Sequence, residues 1–120
     1  MREILFRAKR EATNEWVYGY FVNEYDDFQI YVQPQIITRN GREYVNENTL
    51  GQYTGLTDKN GVKIFEGDIV RYGDTIHKVV FEQRNGTAYF GLVYSPIETL
   101  PFGHYQDLQQ LEVIGNIYQP

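Results

Sequence analysis

Glu66-Gly67-Asp68 sets two carboxylates around a glycine. Paired acids at such a spacing can share a face and pull one another's pKa apart, as the acid and base of a glycoside hydrolase do. The competing account is a tight bend in which Asp68 accepts from a nearby backbone amide while Glu66 faces solvent, and a strand-like Ile69-Val70 directly after favours the bend. His77 and His104 fall in different expected elements, and the chain has no cysteine to act as a thiolate nucleophile or zinc ligand. Asn23 to Asp27 (NEYDD) gathers three carboxylates that could begin a calcium loop. That run lacks the patterned continuation and closing Glu of such a loop and leads into Phe28-Gln29-Ile30-Tyr31-Val32, so it reads as a solvated turn before a strand. Arg39 and Arg42 flank Asn40-Gly41 and would face each other beside a hairpin turn, an arrangement eased by an anionic partner but common in solvent. No acid, base and nucleophile converge, and the expectation is a non-enzymatic protein without metal or cofactor.

The elements that must position these residues are strands. Of 120 residues, 42% are hydrophobic and 22% charged, a mixture apolar enough to fold and of a size for one compact unit. The aromatics are mostly tyrosine, 11 against 7 Phe and 1 Trp, which suits half-buried pleated surfaces and binding faces. A net charge of -5 disfavours broad affinity for nucleic acid phosphates. The apolar run at the N-terminus stops after Phe6, short of a signal-peptide core, and nothing of transmembrane length follows, so a cytoplasmic protein without a membrane partner is expected.

Along the chain, Arg2 to Ala8 alternates with Ile4 and Phe6 on one face, and pairs in a hairpin with the run from Trp16 to Val22. Gly19 inside that run marks a bulge or a close approach, with Trp16 the ring expected to be buried there. Pro34 suits a strand end or edge, and Asn40-Gly41 fits a type I′ hairpin that sets Ile37 opposite Tyr44 and Thr38 opposite Glu43. Asp58-Lys59-Asn60-Gly61 reads as a type I turn closed by a left-handed glycine, pairing Gln52 to Thr57 with Val62 to Phe65. The bend at Glu66 to Asp68 follows at once, and two successive changes of direction fold a small sheet onto itself. Gly73-Asp74 and Asn85-Gly86 predict two more hairpins, the second placing Phe81 opposite Phe90 in or near the core. Ser95 to Asp107 reads as a long loop carrying an aromatic, titratable cluster of Phe102, His104 and Tyr105. Leu108 to Glu112 can add a helical turn before a closing strand over Glu112 to Tyr118.

The opening Met1-Arg2-Glu3-Ile4 with Phe6-Arg7-Ala8, the element Trp16-Val17-Tyr18-Gly19, the central Gly51 to Leu56, Asp58 to Gly61 and Glu66 to Val70, and the closing Val113 to Tyr118 resemble the YopX family of small bacteriophage and prophage proteins. The resemblance implies a mainly β protein with a small SH3-like barrel in the C-terminal half (57–120) and an N-terminal β-hairpin or sheet extension (1–56), made in a bacterial host cytoplasm. It brings no established activity and no functional residue. Three functions remain. One is a non-catalytic protein-interaction module or homo-oligomer, with Tyr53, Lys59, Phe65, Phe102, His104 and Tyr105 as the candidate surface. The alternative is a single-stranded nucleic-acid-binding accessory protein that stacks bases on its rings while Arg39, Arg42, Arg71 and Arg84 follow the phosphates, and a third thought is an acidic surface imitating nucleic acid.

Overall fold

The computed structural model describes residues 3–25, 32–84, 86–95, 98–102 and 110–118, with residues 24, 25, 32 and 84 described by backbone alone. Among these residues the strands are β1 (Phe6–Arg10), β2 (Trp16–Tyr25), β3 (Val32–Thr38), β4 (Gly41–Thr57), β5 (Lys63–Phe65), β6 (Asp68–Tyr72), β7 (Thr75–Arg84), β8 (Thr87–Ser95), β9 (Glu98–Pro101) and β10 (Leu111–Asn116). The protein is mainly β, as its composition and hairpin signals led one to expect. It divides into two compact units, Met1–Tyr53 and Thr54–Pro120, whereas the sequence reading set the junction after residue 56. Strand β4 runs through the division, so no turn marks it.

In the N-terminal unit the antiparallel order β1-β2-β3-β4 closes on itself, because β1 also pairs with β4. One strand can serve two partners because β4 is long and irregular. Tyr44 is its last residue in register with β3, opposite Gln35, and Val45 and Asn46 are already opposite Arg10 and Lys9 of β1. Between Asn46 and Gly51 the register breaks, and Thr49 seals the gap: its buried Oγ1 accepts from the Lys9 amide at 2.8 Å and donates to the Asn46 carbonyl at 2.7 Å. Inside the ring Ala8, Val17, Ile36 and Val45 are buried, flanked by Phe6, Phe21 and Leu50, with the two phenyl rings 6.2 Å apart.

Gly19 is where this ring is tightest. A Cβ there would lie 2.0 Å from the Ile37 carbonyl oxygen, so the neighbour that demands glycine is backbone, not the Trp16 ring, which stays half-buried. The first strand also starts later than its alternation suggested: Ile4 lies outside it and is 57% exposed. The hairpin around Asn40-Gly41 is displaced by one position. Thr38 pairs with Gly41 and Ile37 with Arg42, leaving Arg39-Asn40 as the loop. The cause is local: Thr38 Oγ1 accepts from the Asn40 amide and donates to the Gly41 carbonyl, while Gly41 alone takes a positive φ (124°) where a type I′ turn needs two such residues. Arg39 and Arg42 therefore do not face each other. Pro34 pairs only with Asn23 of β2, beyond the end of the β4 ladder, so the strand-edge expectation holds.

In the C-terminal unit the end of β4 pairs with β5, and a second antiparallel sheet runs β10-β6-β7-β8-β9. A loop of two residues, Gly73-Asp74, joins β6 to β7 as expected, and Arg84 pairs with Thr87 across the expected second hairpin, where Asn85 lies outside the described residues. Ile64, Val70, Val79, Leu92 and Leu111 are at most 1% exposed and form the core, each contributing roughly 1.5–3 kcal/mol by leaving water. Phe81 does oppose Phe90, with ring centroids 5.0 Å apart, but Phe81 is 42% exposed: the pair lies where the β7–β8 hairpin runs past the core. The segment read as a loop from Ser95 contains β9, paired to β8; of the helical turn expected over Leu108 to Glu112, Leu108 and Gln109 lie outside the described residues, Gln110 is in a 3₁₀ turn, and β10 begins at Leu111.

The two turn motifs behave as their chemistry demands. Asp58 Oδ1 accepts from the amides of Asn60 (2.8 Å) and Val62 (2.9 Å), with Gly61 at φ 80°. Its Oδ2 reaches 55 residues along the chain to the amide of Val113 in β10, at 2.9 Å. Asp68, 1% exposed, accepts from the Phe65 amide at 2.7 Å across the bend at Gly67 (φ 92°).

Two outcomes are expected. Gly19→Ala should cost about 2 kcal/mol or more in urea unfolding, or prevent folding, because the added methyl overlaps a backbone carbonyl that cannot rotate away. Burial would raise the Asp58 pKa, but the amides of Val113, Val62 and Asn60, with Lys59 nearby, outweigh it and hold the carboxyl below its usual 3.8. The stabilisation is then complete above the unfolded-state value and is lost as pH falls through the lower folded-state value. Asp58→Asn should lower stability at neutral pH by about 2 kcal/mol or more, and the gap to wild type should narrow on acidification below about pH 4 in thermal melts.

Candidate functional site

Antiparallel register fixes which residues share the outer face of the N-terminal ring. Residues directly opposite one another point to the same side of a sheet, and every second residue of a strand joins them. From Arg7↔Tyr18, Tyr20↔Ile37, Ile37↔Arg42, Val22↔Gln35 and Gln35↔Tyr44, one face carries Arg7 of β1, Tyr18, Tyr20 and Val22 of β2, Gln35 and Ile37 of β3, and Arg42 and Tyr44 of β4. Tyr18 is 48% exposed, Tyr20 65% and Tyr44 56%, a rare amount of aromatic surface for one small sheet. At its β1 end Trp16 takes two cations: the Arg7 guanidinium lies 4.5 Å from the ring centroid and the Lys9 ammonium 5.5 Å. Arg7 is itself buried, and the indole face offers it an electrostatic partner out of water.

The face ends in a groove of about 570 Å³. It opens where β4 leaves β3 for β1: Gln33 and Pro34 form one bank, Tyr44 to Glu47 the other, and Glu11 and Asn14 of the β1–β2 connection close the end. Two features hold that end in place, the hydrogen bond from the Glu11 amide to the Tyr44 carbonyl (3.0 Å) and the positive φ of Asn14 (66°).

The residues singled out from the sequence lie elsewhere. Tyr53 and Phe65 are 7% and 3% exposed and present no surface, since each stands at a position where its strand turns inward; only Lys59, at the tip of the Asp58–Gly61 turn, is exposed. Phe102 is half-buried, packs against the C-terminal core and donates its amide to the Phe90 carbonyl, so it supports the sheet. His104 and Tyr105 lie outside the described residues, as do Asp26 and Asp27 of the acidic run. The Arg84 side chain is likewise outside them, and Arg71 is engaged with Glu112 at 3.1 Å. Glu66 and Asp68 are not a working pair, because Asp68 is buried on the Phe65 amide while Glu66 stays half-exposed. His77 is 6% exposed with both nitrogens engaged, Nε2 with Thr75 Oγ1 (2.7 Å) and Nδ1 with the Val93 carbonyl (3.0 Å), and its ring lies against Tyr94. The sequence did hold a signal for the outer face: Trp16, Tyr18 and Tyr20 recur at a spacing of two, which puts three rings on one side of a strand.

The difference between buried and exposed candidates is open to measurement. Phe65→Ala should cost about 3–5 kcal/mol in denaturant unfolding, whereas Lys59→Ala should stay within about 0.5 kcal/mol of wild type.

Comparison with known proteins bears on the whole chain. A crystal structure of protein EF1440 from Enterococcus faecalis is similar to it at a TM-score of 0.51 and 24% sequence identity, over 98% of this chain and 94% of that one. At this identity the likeness speaks for the fold alone. No curated protein matches. The family model described as YopX protein matches residues 5–120, nearly the whole chain, and the protein therefore belongs to the YopX family.

Proposed function

We propose that the protein is a non-catalytic interaction module that holds a protein partner, or a second copy of itself, on the outer face of its N-terminal unit. The observation that carries this reading is the grouping of Tyr18, Tyr20 and Tyr44, each about half exposed or more, on one sheet face with Ile37 and Arg42 among them. Tyrosine offers large, stiff, amphipathic contact area at a small entropic cost, and with arginine it is among the residues that carry most binding energy in protein interfaces. The spent state of the sequence's catalytic candidates agrees: Asp68 and His77 are hydrogen-bonded and buried, as structural groups are. A phage or prophage setting and a bacterial cytoplasmic location belong to the same reading, on the strength of the family.

A second reading has its own support. Lys9 and Arg42 stand on the tyrosine face of a chain whose net charge is -5, so positive charge lies where rings could stack unpaired bases. Glu11 and Glu47 lie beside Tyr44 at the end of that face and would repel phosphates, which puts the protein partner first.

The test uses the full chain and a variant with Tyr18→Ser, Tyr20→Ser and Tyr44→Ser, whose melting temperature should stay near that of wild type because the three rings are exposed. Pull-down from bacterial lysate, with and without nuclease, should recover a nuclease-resistant partner with wild type and at least about tenfold less with the variant. If self-association is the mode, light scattering should show a mass that rises with concentration for wild type alone. Equal recovery and equal mass for both proteins would remove the face from the account, and a partner lost on nuclease treatment would move the second reading to first place.

A further inference from the structure

We infer that the groove between β3 and β4 receives a lysine or arginine side chain from an extended segment of the partner protein. This rests on the reading of the outer face as an interaction surface, with which the groove is continuous through Tyr44. Three independent features of the groove converge on that occupant.

The first is an open strand edge. The β3–β4 ladder stops at Gln35↔Tyr44, while β3 continues to Val32 in register with β2. Among the described residues no strand stands beside the other edge of Val32–Pro34. The gap leaves room for an added chain beside β3, but Pro34 has no N–H to pair with it, so the gap admits a segment without templating a full ladder. The second is charge. Glu11 at the closed end and Glu47 on the β4 bank both line the groove, neither carboxylate is engaged by any described group, and no cation is among the lining residues. By contrast Glu43, one turn of the pleat away, is held by Arg10 at 3.0 Å, and Glu15 by the same arginine at 3.2 Å. The protein thus satisfies its acids where it has arginine at hand and leaves these two to face the cleft. The third is shape and chemistry of the walls: the exposed Tyr44 ring and the Pro34 ring can hold an aliphatic stem and a cation, and the side-chain amides of Asn14, Gln33 and Asn46 offer neutral acceptors around it. A volume of about 570 Å³ admits one long side chain with its flanking backbone.

The probe is a capped peptide, acetyl-Gly-Val-Lys-Val-Gly-amide, set against the same peptide with Nε-acetyl-lysine, each titrated into the full-length protein labelled with nitrogen-15. The lysine peptide should produce saturating shifts in the side-chain amides of Asn14, Gln33 and Asn46, and the acetylated one should not. Glu11→Gln with Glu47→Gln should weaken the lysine peptide about tenfold, since each partly exposed carboxylate contributes up to about fivefold. Both side chains are exposed and, among the described residues, unpaired, so this variant should melt as wild type does. Equal shifts from both peptides, or no saturating shift at millimolar peptide, would overturn the inference. Shifts confined to Tyr18 and Tyr20 would sink the groove and keep the face. Groove binding by the lysine peptide, together with undiminished partner recovery by the triple tyrosine variant, would keep the groove and sink the face.

Discussion

The C-terminal unit depends on one desolvated carboxylate. Asp58 sits at the head of the turn between β4 and β5, and its two oxygens accept from three backbone amides, two in its own turn and one in β10. A buried carboxylate is expensive unless charge-assisted hydrogen bonds surround it, and once they do, they are among the stronger local interactions a protein has. The same turn is tied to β10 a second time through the Lys59 amide and the Leu111 carbonyl at 2.9 Å. Leu111 is a core residue, so fixing the start of β10 also fixes where the last aliphatic side chain enters the core. Asp68 does related work at the next bend, and Gly67 between them donates to the Val79 carbonyl and accepts from the Ile117 amide. Turn, core and closing strand are thus one cooperative arrangement, with its polar contacts made by backbone groups that any sequence possesses and by two aspartates that only this one places there.

The N-terminal unit works by a different constraint. Its core holds one alanine, two valines and one isoleucine, little apolar area for some fifty residues, and the hydrogen-bonded closure of its four strands supplies what burial does not. Closure requires β4 to serve β3 and β1 in succession. That is why β4 carries a break at Glu47 to Leu50 sealed by Thr49, why Gly19 must lack a side chain, and why the strands part to leave a groove. The groove is a by-product of how the ring closes, and its position at the end of a tyrosine-rich face follows from register alone.

What the sequence made legible was local. Asp58 and Gly61, Asp68 and Gly67, and Gly73-Asp74 each complete their geometry within five residues, so their chemistry could be read where it stood. Asn40-Gly41 is the instructive exception: the dipeptide fits a type I′ turn, but the hydroxyl of Thr38 bonds both sides of the loop, which moves back by one position so that each β3 residue pairs two places earlier in β4. Burial was not legible, because it depends on what other segments bring. Tyr53 and Phe65 lie in a segment crowded with polar turn residues and were expected at the surface, yet both are enclosed. Tyr18, Tyr20 and Tyr44 belong to three strands whose mutual register no local signal sets, and only the pairings of β2, β3 and β4 place them together. Arg7 is a similar case, a charge buried beside an indole that the alternation of β1 would have sent to solvent.

The segment from Asn48 to Arg71 carries the densest turn chemistry of the chain, and that density is architectural. Its glycines and aspartates are consumed by backbone hydrogen bonds, and its aromatic residues Tyr53 and Phe65 by burial. The outer face of the N-terminal unit shows the opposite economy. Its residues fall on strands with little special turn chemistry, where the fold needs only an extended backbone and leaves the side chain free to vary. Tyrosine at three such positions gives the strand no more than another β-former would. Each ring keeps about half of its surface or more in water, at a cost that an ordinary soluble surface avoids by using polar residues. That cost is what the proposed interaction would offset, by taking the three rings out of water together.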